Sequence, residues 1–200
     1  MKATHIIFVA WEKADEKENQ ANNWAQFGNK NRSQKGDNSK GEHRLYKVVV
    51  YKKNTWDTDL MHMSTGQIYV LGHGAKGYGS IADLDGNGGT KLKAEEVADR
   101  LRGSGLSDTY RGKVNCFNCN SAKSDGDELS FATRFANRLR EKGHSHCQIF
   151  GYNSAVESSY EERGFGGAHK HSLSDQEFVD GTLIHDYAPQ GRAKDFKAAV

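Results

Sequence analysis

The chain has 200 residues, of which 36% are apolar and 27% charged. That is enough for one domain burying roughly 70% of its unfolded surface. A formal charge of +2 gives no electrostatic case for a nucleic-acid or membrane-surface partner, and three cysteines, an odd number, argue against a disulfide scaffold and for a reducing compartment. No apolar run approaches membrane-spanning length, and the run at residues 6–10 is too short for a secretory signal. The expected setting is the cytoplasm, or a host or target cytosol reached by a signal-free export route.

Five short apolar runs, at residues 5–11, 45–51, 67–71, 113–117 and 147–152, predict strands covered on both faces. Between the first two lies a polar stretch, 12–44, where a short helix is predicted near 23–27 and an exposed loop over 33–42. Residues 92–101 bring Leu92, Val97 and Leu101 near one helical face before a stop at Gly103. In 129–141, Phe131, Phe135 and Leu139 recur at four-residue steps before Gly143, and Asp125 or Asp127 is the expected cap. Strands alternating with helices predict an α/β fold with a mainly parallel central sheet and right-handed crossovers. From Ala155 the chain turns polar and glycine-rich, with a strand or hairpin arm expected at 181–187. The expected organisation is a single domain, with a core of about 1–156 and a C-terminal arm or flap of about 157–200.

Two strands end in reactive side chains. QIYVLGHG runs into His73-Gly74, and KVNCFNCNS ends at Cys119. Open α/β sheets place their ligands outside the carboxyl ends of their strands, so these two side chains can meet there. A thiol attacks as its thiolate and needs a base or positive neighbour, which His73 would be. Alternation puts Val114, Cys116 and Asn118 on one side of the strand and Asn115 and Phe117 on the other. Cys116 is therefore expected inside the strand and buried, and Cys119 at its end is the expected nucleophile. The amides of Gly74 and Cys119 are the expected oxyanion donors. No residue that must orient the histidine stands out.

The ordered set QIYVLGHGAKGYGSI, KLKAEEVADRLRGSGL, GKVNCFNCNSA and SFATRFANRLREKG followed by CQIFGYNSAV resembles the caspase-like (clan CD) cysteine peptidases. It is most similar to the self-cleaving cysteine protease domains of large bacterial toxins. The matching stretches run from residue 67 to about 156. The resemblance implies a caspase-like αβα sandwich, His73 as catalytic histidine, Cys119 as nucleophile, and an effector or toxin-type endopeptidase that cleaves a protein, or itself, through a thioester. Cys116 stands where the family carries a plain apolar residue, and Asn118 where it commonly has glycine or an acid. No cofactor is expected for the chemistry itself. The family's activator, inositol hexakisphosphate, would fall to tail basics: Arg163, Lys170, Arg192 and Lys194, with His169 and Lys197. Scattered basics are more often a solvated face. A substrate pocket beside the last core strand would draw on Asn118, Ser154 and Glu157, the last favouring a basic substrate residue.

Four rival readings carry weaker signals. Zinc would take four of Cys116, Cys119, His144, His146 and Cys147, but strand alternation aims the first two apart. A thioredoxin-like couple would need its first cysteine at a helix start, not inside a strand. DLDGNGG, with Asp83, Asp85 and Asn87, mimics a calcium loop but has Ala94 at the twelfth position, where a bidentate glutamate is needed. A non-proteolytic binding or adaptor module on the same fold would keep the architecture without the chemistry.

Overall fold

The computed structural model describes residues 3–34, 45–84, 88–157, 161–162, 168–169, 171–173, 177–179, 182–185, 189–192 and 197–200, with side chains for those outside 30–34 and 161–192. In chain order, the elements are β1 (His5–Val9), α1 (Asp15–Gln34), β2 (Tyr46–Val50), α2 (Thr58–His62), β3 (Gln67–Leu71), β4 (Ser80–Ala82), β5 (Lys91–Lys93) and α3 (Ala94–Gly103). They continue with β6 (Lys113–Phe117), α4 (Phe131–Glu141), β7 (Gln148–Tyr152) and β8 (Ala155–Val156). The tail adds β9 (Glu161–Glu162), β10 (Ala168–His169), β11 (His171–Leu173), β12 (Glu177–Val179), β13 (Thr182–His185), β14 (Pro189–Arg192) and β15 (Lys197–Ala199).

The five apolar runs, joined by β15, form the central sheet, in the order β15-β7-β6-β3-β1-β2. All its pairings are parallel except that of β15, which lies antiparallel along β7. Buried side chains on both faces explain the continuous apolar runs: Ile6, Ile7, Phe8, Val9, Ile68, Val70 and Val114 are all fully buried. Helices cover both faces. Trp24 of α1 packs on Tyr69 and Phe117, with ring centroids 4.7 and 5.0 Å away. Phe117 in turn meets Tyr152 at 5.1 Å. Gly151, adjacent to Tyr152 in β7 and so facing the other way, lies against α4, where an added Cβ would stand 2.9 Å from Ala132. The chain is thus α/β, with a mainly parallel six-stranded sheet between helices.

The polar stretch after β1 departs from expectation. In place of a short helix at 23–27 there is a helix of 20 residues. The buried positions in it and just before it, Ala14, Lys17, Ala21, Trp24 and Ala25, keep helical spacing. Three alanines and a lysine carry little apolar signal, so the stripe is weak in sequence although it docks firmly. Asn29 fastens the helix to β2 by bonding both backbone groups of Tyr46, at 2.9 and 3.0 Å. Most of the expected 33–42 loop lies outside the described residues. The cap of α4 is also corrected: Ser130, not Asp125 or Asp127, accepts from the Thr133 amide at 3.2 Å, while Asp125 closes a small bridge with Glu128. The helix predicted at 92–101 begins at Ala94, because Leu92 belongs to β5.

In the tail, β12 and β13 pair antiparallel as the expected hairpin. β11 joins β8 to β14, and β15 returns to the central sheet. Among the described residues no helix is long and apolar enough to cross a membrane. Trp24→Ala empties the contact between α1 and the sheet; we expect a loss of about 3–5 kcal/mol, measured by denaturant unfolding.

Candidate active site

β3 and β6 are neighbours in register, with Val70 opposite Cys116 and Leu71 opposite Phe117. His73 and Cys119 each lie two residues beyond that last pair. Both therefore follow directly on neighbouring strands at the carboxyl edge of the sheet, where such strands are about 4.8 Å apart. The loops they begin touch directly. A Cβ on Gly74 would stand 2.7 Å from Asn118 Oδ1 and 2.8 Å from the Cys119 carbonyl oxygen, so this close approach requires glycine.

The histidine is held through its backbone. His73 and Ala82 exchange two backbone hydrogen bonds, each 2.9 Å long, which return the chain onto β4. Its ring meets the first turn of α1. Nε2 lies 2.9 Å from Glu16 Oε1 and within hydrogen-bonding distance of Lys17 Nζ. Lys17 also donates to Glu16 at 2.8 Å and to Gln20 at 3.0 Å. Burial raises the Glu16 pKa, but its hydrogen bonds with Lys17 and His73 and their charges outweigh it and hold the carboxyl below its usual range. Glu16 is the orienting partner that the sequence did not reveal. Its signal was present only in retrospect: an acidic residue in the first turn of a helix that follows a core strand.

The cysteine is held by a turn and by the chain after β7. Asn118 N–H bonds back to the Cys116 carbonyl at 2.9 Å. Asn120 adopts a left-handed backbone (φ 54°), a conformation asparagine tolerates. Its amide donates to the Ser154 carbonyl at 2.8 Å. Ser121 Oγ donates to the Cys116 carbonyl at 2.7 Å and accepts from the Tyr152 amide at 2.9 Å, which ties the turn to β7. The Cys119 sulfur faces the main chain of Val156, with the Val156 amide 3.4 Å from Sγ.

The three thiols differ sharply, and none is in a disulfide. Cys116 is fully buried, and burial pushes its pKa up strongly. Cys147 is also buried and raised by burial. Cys119 is half-buried. Of the other expected positions, Asn118 and Ser154 lie beneath this surface at 1% and 4% exposure, and Glu157 is half-buried. Asn118 finds no hydrogen-bond partner for its side-chain amide among the described residues. Gly74 N–H takes part in no hydrogen bond among them either. Arg163, Lys170 and Lys194 lie outside the described residues, and the Arg192 side chain does too.

The residues of the zinc reading do not come together. His144 and Cys147 precede β7 at its amino end, across the sheet from Cys119, because β7 runs parallel to β6. No group of three or more His, Cys, Asp or Glu side chains among the described residues could hold a metal. Asp83 uses its carboxylate to accept from the Thr90 amide at 2.6 Å, while Asp85 and Asn87 lie outside the described residues. A cavity of about 730 Å³, lined by residues including His5, Gln67, Arg111 and Lys113, also sits at the amino ends of the strands, the end where such sheets seldom place their chemistry.

No protein-family model matches the chain, and no curated protein does. The geometry above therefore stands by itself. With excess iodoacetamide on the native protein, we expect one fast-reacting thiol. Cys119→Ala should remove it and Cys116→Ala should leave it; fast labelling that survives Cys119→Ala would contradict the assignment.

Proposed function

We propose that the chain is a cysteine endopeptidase of caspase-like type, acting through a His73–Cys119 dyad. The observation that carries the reading is that these two residues follow neighbouring in-register parallel strands and begin loops that touch. Three further features support it. Glu16 meets the ring at Nε2, which in the reactive form leaves Nδ1 for the thiol. Gly74 keeps an amide available beside Cys119. The competing thiol, Cys116, is sealed in the core.

In this reading Nδ1 of His73 accepts the Sγ proton of Cys119, and the Glu16 carboxylate stabilises the imidazolium that forms. The thiolate forms a bond to the substrate carbonyl carbon, and the oxyanion is received by the Gly74 and Cys119 amides. The imidazolium returns its proton to the departing amine as the C–N bond breaks, leaving a thioester. Water, giving its proton to His73, then releases the acid and restores the thiol.

The substrate is a protein or this chain itself, in a reducing cytosol that keeps the thiol reduced, as for a bacterial effector or toxin-type protease. Inositol hexakisphosphate as activator rests on the sequence resemblance alone. The wider class of non-proteolytic modules on this architecture predicts no cleavage at all, which makes the test direct. The purified chain is incubated with a proteome-derived peptide library, with and without inositol hexakisphosphate, and new termini are read by mass spectrometry. We expect cleavage that Cys119→Ala abolishes, that His73→Ala lowers roughly 10²–10⁴-fold, in line with a lost general base, and that Glu16→Gln lowers less. Cleavage unchanged in Cys119→Ala would overturn the proposal, and so would its absence under every condition.

A further inference from the structure

Lys17 is only 2% exposed, an uncommon position for a lysine, which is rarely buried without partners. Its ammonium has three donors and no acceptor. Two go to Glu16 and Gln20, and it meets His73 at Nε2. Glu16 approaches the same nitrogen with an acceptor-only carboxylate.

One ring nitrogen cannot serve both neighbours in the same form. To donate to Glu16, Nε2 must carry the proton, and Nδ1 then has the lone pair that can take a proton from a thiol. To accept from Lys17, Nε2 must present its lone pair, and the proton then sits on Nδ1, where it blocks that transfer. Among the described residues, the charged groups that meet the imidazole are Glu16 and Lys17, both from α1. Asp83, next to the backbone partner of His73, turns its carboxylate to the Thr90 amide.

We infer that Lys17 is a positioning residue that holds His73 in the Nδ1-protonated form in this state, and that proton transfer from Cys119 requires Lys17 to yield Nε2 to Glu16. The inference rests on the dyad reading for its functional meaning. The tautomer itself is a property of the site with or without peptide cleavage. Activation then amounts to a small displacement of one buried ammonium in the first turn of α1, with no change in the backbone that carries His73 and Cys119.

The decisive measurement is the long-range proton–nitrogen correlation spectrum of isotope-labelled histidine in the wild-type protein, at a pH above the ordinary imidazole range. His73 is assigned from the signals lost in His73→Gln. We expect the Nδ1-protonated pattern in wild type and in Lys17→Arg, and the Nε2-protonated pattern in Lys17→Met. A wild-type spectrum with the proton on Nε2 overturns the inference and needs no variant to fold. As a second readout, Lys17→Met should speed iodoacetamide alkylation of Cys119 near neutral pH roughly ten-fold, the equivalent of one pKa unit, and shift the pH profile downward. An unchanged profile in a folded variant overturns it as well. An Nδ1-protonated wild type, with no cleavage by wild type or by Lys17→Met under any condition, supports the inference and contradicts the protease reading.

Discussion

The parallel register between β3 and β6 is the constraint on which the rest of the site depends. With Leu71 opposite Phe117, the loops that carry His73 and Cys119 start side by side. A slip of one residue would turn one of the two side chains to the opposite face. The register is fixed by what lies beneath it: Ile68, Val70, Val114 and Cys116 are all fully buried, so any slip would bring mismatched side chains into a packed interior. The turns above are fixed as well, by the backbone bridge of His73 with Ala82 on one side and by Ser121 between β6 and β7 on the other. The site is built on rigid strand ends.

Helix α1 supplies the polar partners of the imidazole. The aromatic contact of Trp24 with Tyr69 and Phe117 and the Asn29 clamp on Tyr46 set its position over β1, β2 and β3. Its first turn then brings Glu16 and Lys17 to His73. A carboxylate and an ammonium at one ring nitrogen form a compact polar network at the boundary of the core. Such a network determines where a single proton resides, while the apolar stripe further along the helix secures its position.

Much of this was legible in the sequence, because continuous apolar runs report strands buried on both faces. Residues 67–71 and 113–117 were read to the residue, and their ends named His73 and Cys119. Helix α1 was legible only over residues 23–27. Ala14, Ala21 and Ala25 are too small to register as an apolar face, and Lys17 in the same stripe reads as solvent-exposed until its partners are seen. Glu16 was hidden for the same reason, since its function depends on a contact with a residue 57 positions away. Short strands such as β4 and β5 are equally silent, because three residues carry no usable period. The cap of α4 was misread because two aspartates precede the serine that serves, and only the observed backbone distinguishes among them.

The central claim is spatial, and a disulfide probe tests it most directly. His73→Cys places a second thiol at the position of the imidazole, and two cysteines can bridge only when their Cα atoms lie within about 7 Å with converging side chains. Under mild oxidation of the folded variant, peptide mass mapping should find residues 73 and 119 linked, with Cys116 and Cys147 still reduced. A folded His73→Cys protein in which that link does not form, and in which Cys119 stays open to alkylation, would contradict the account.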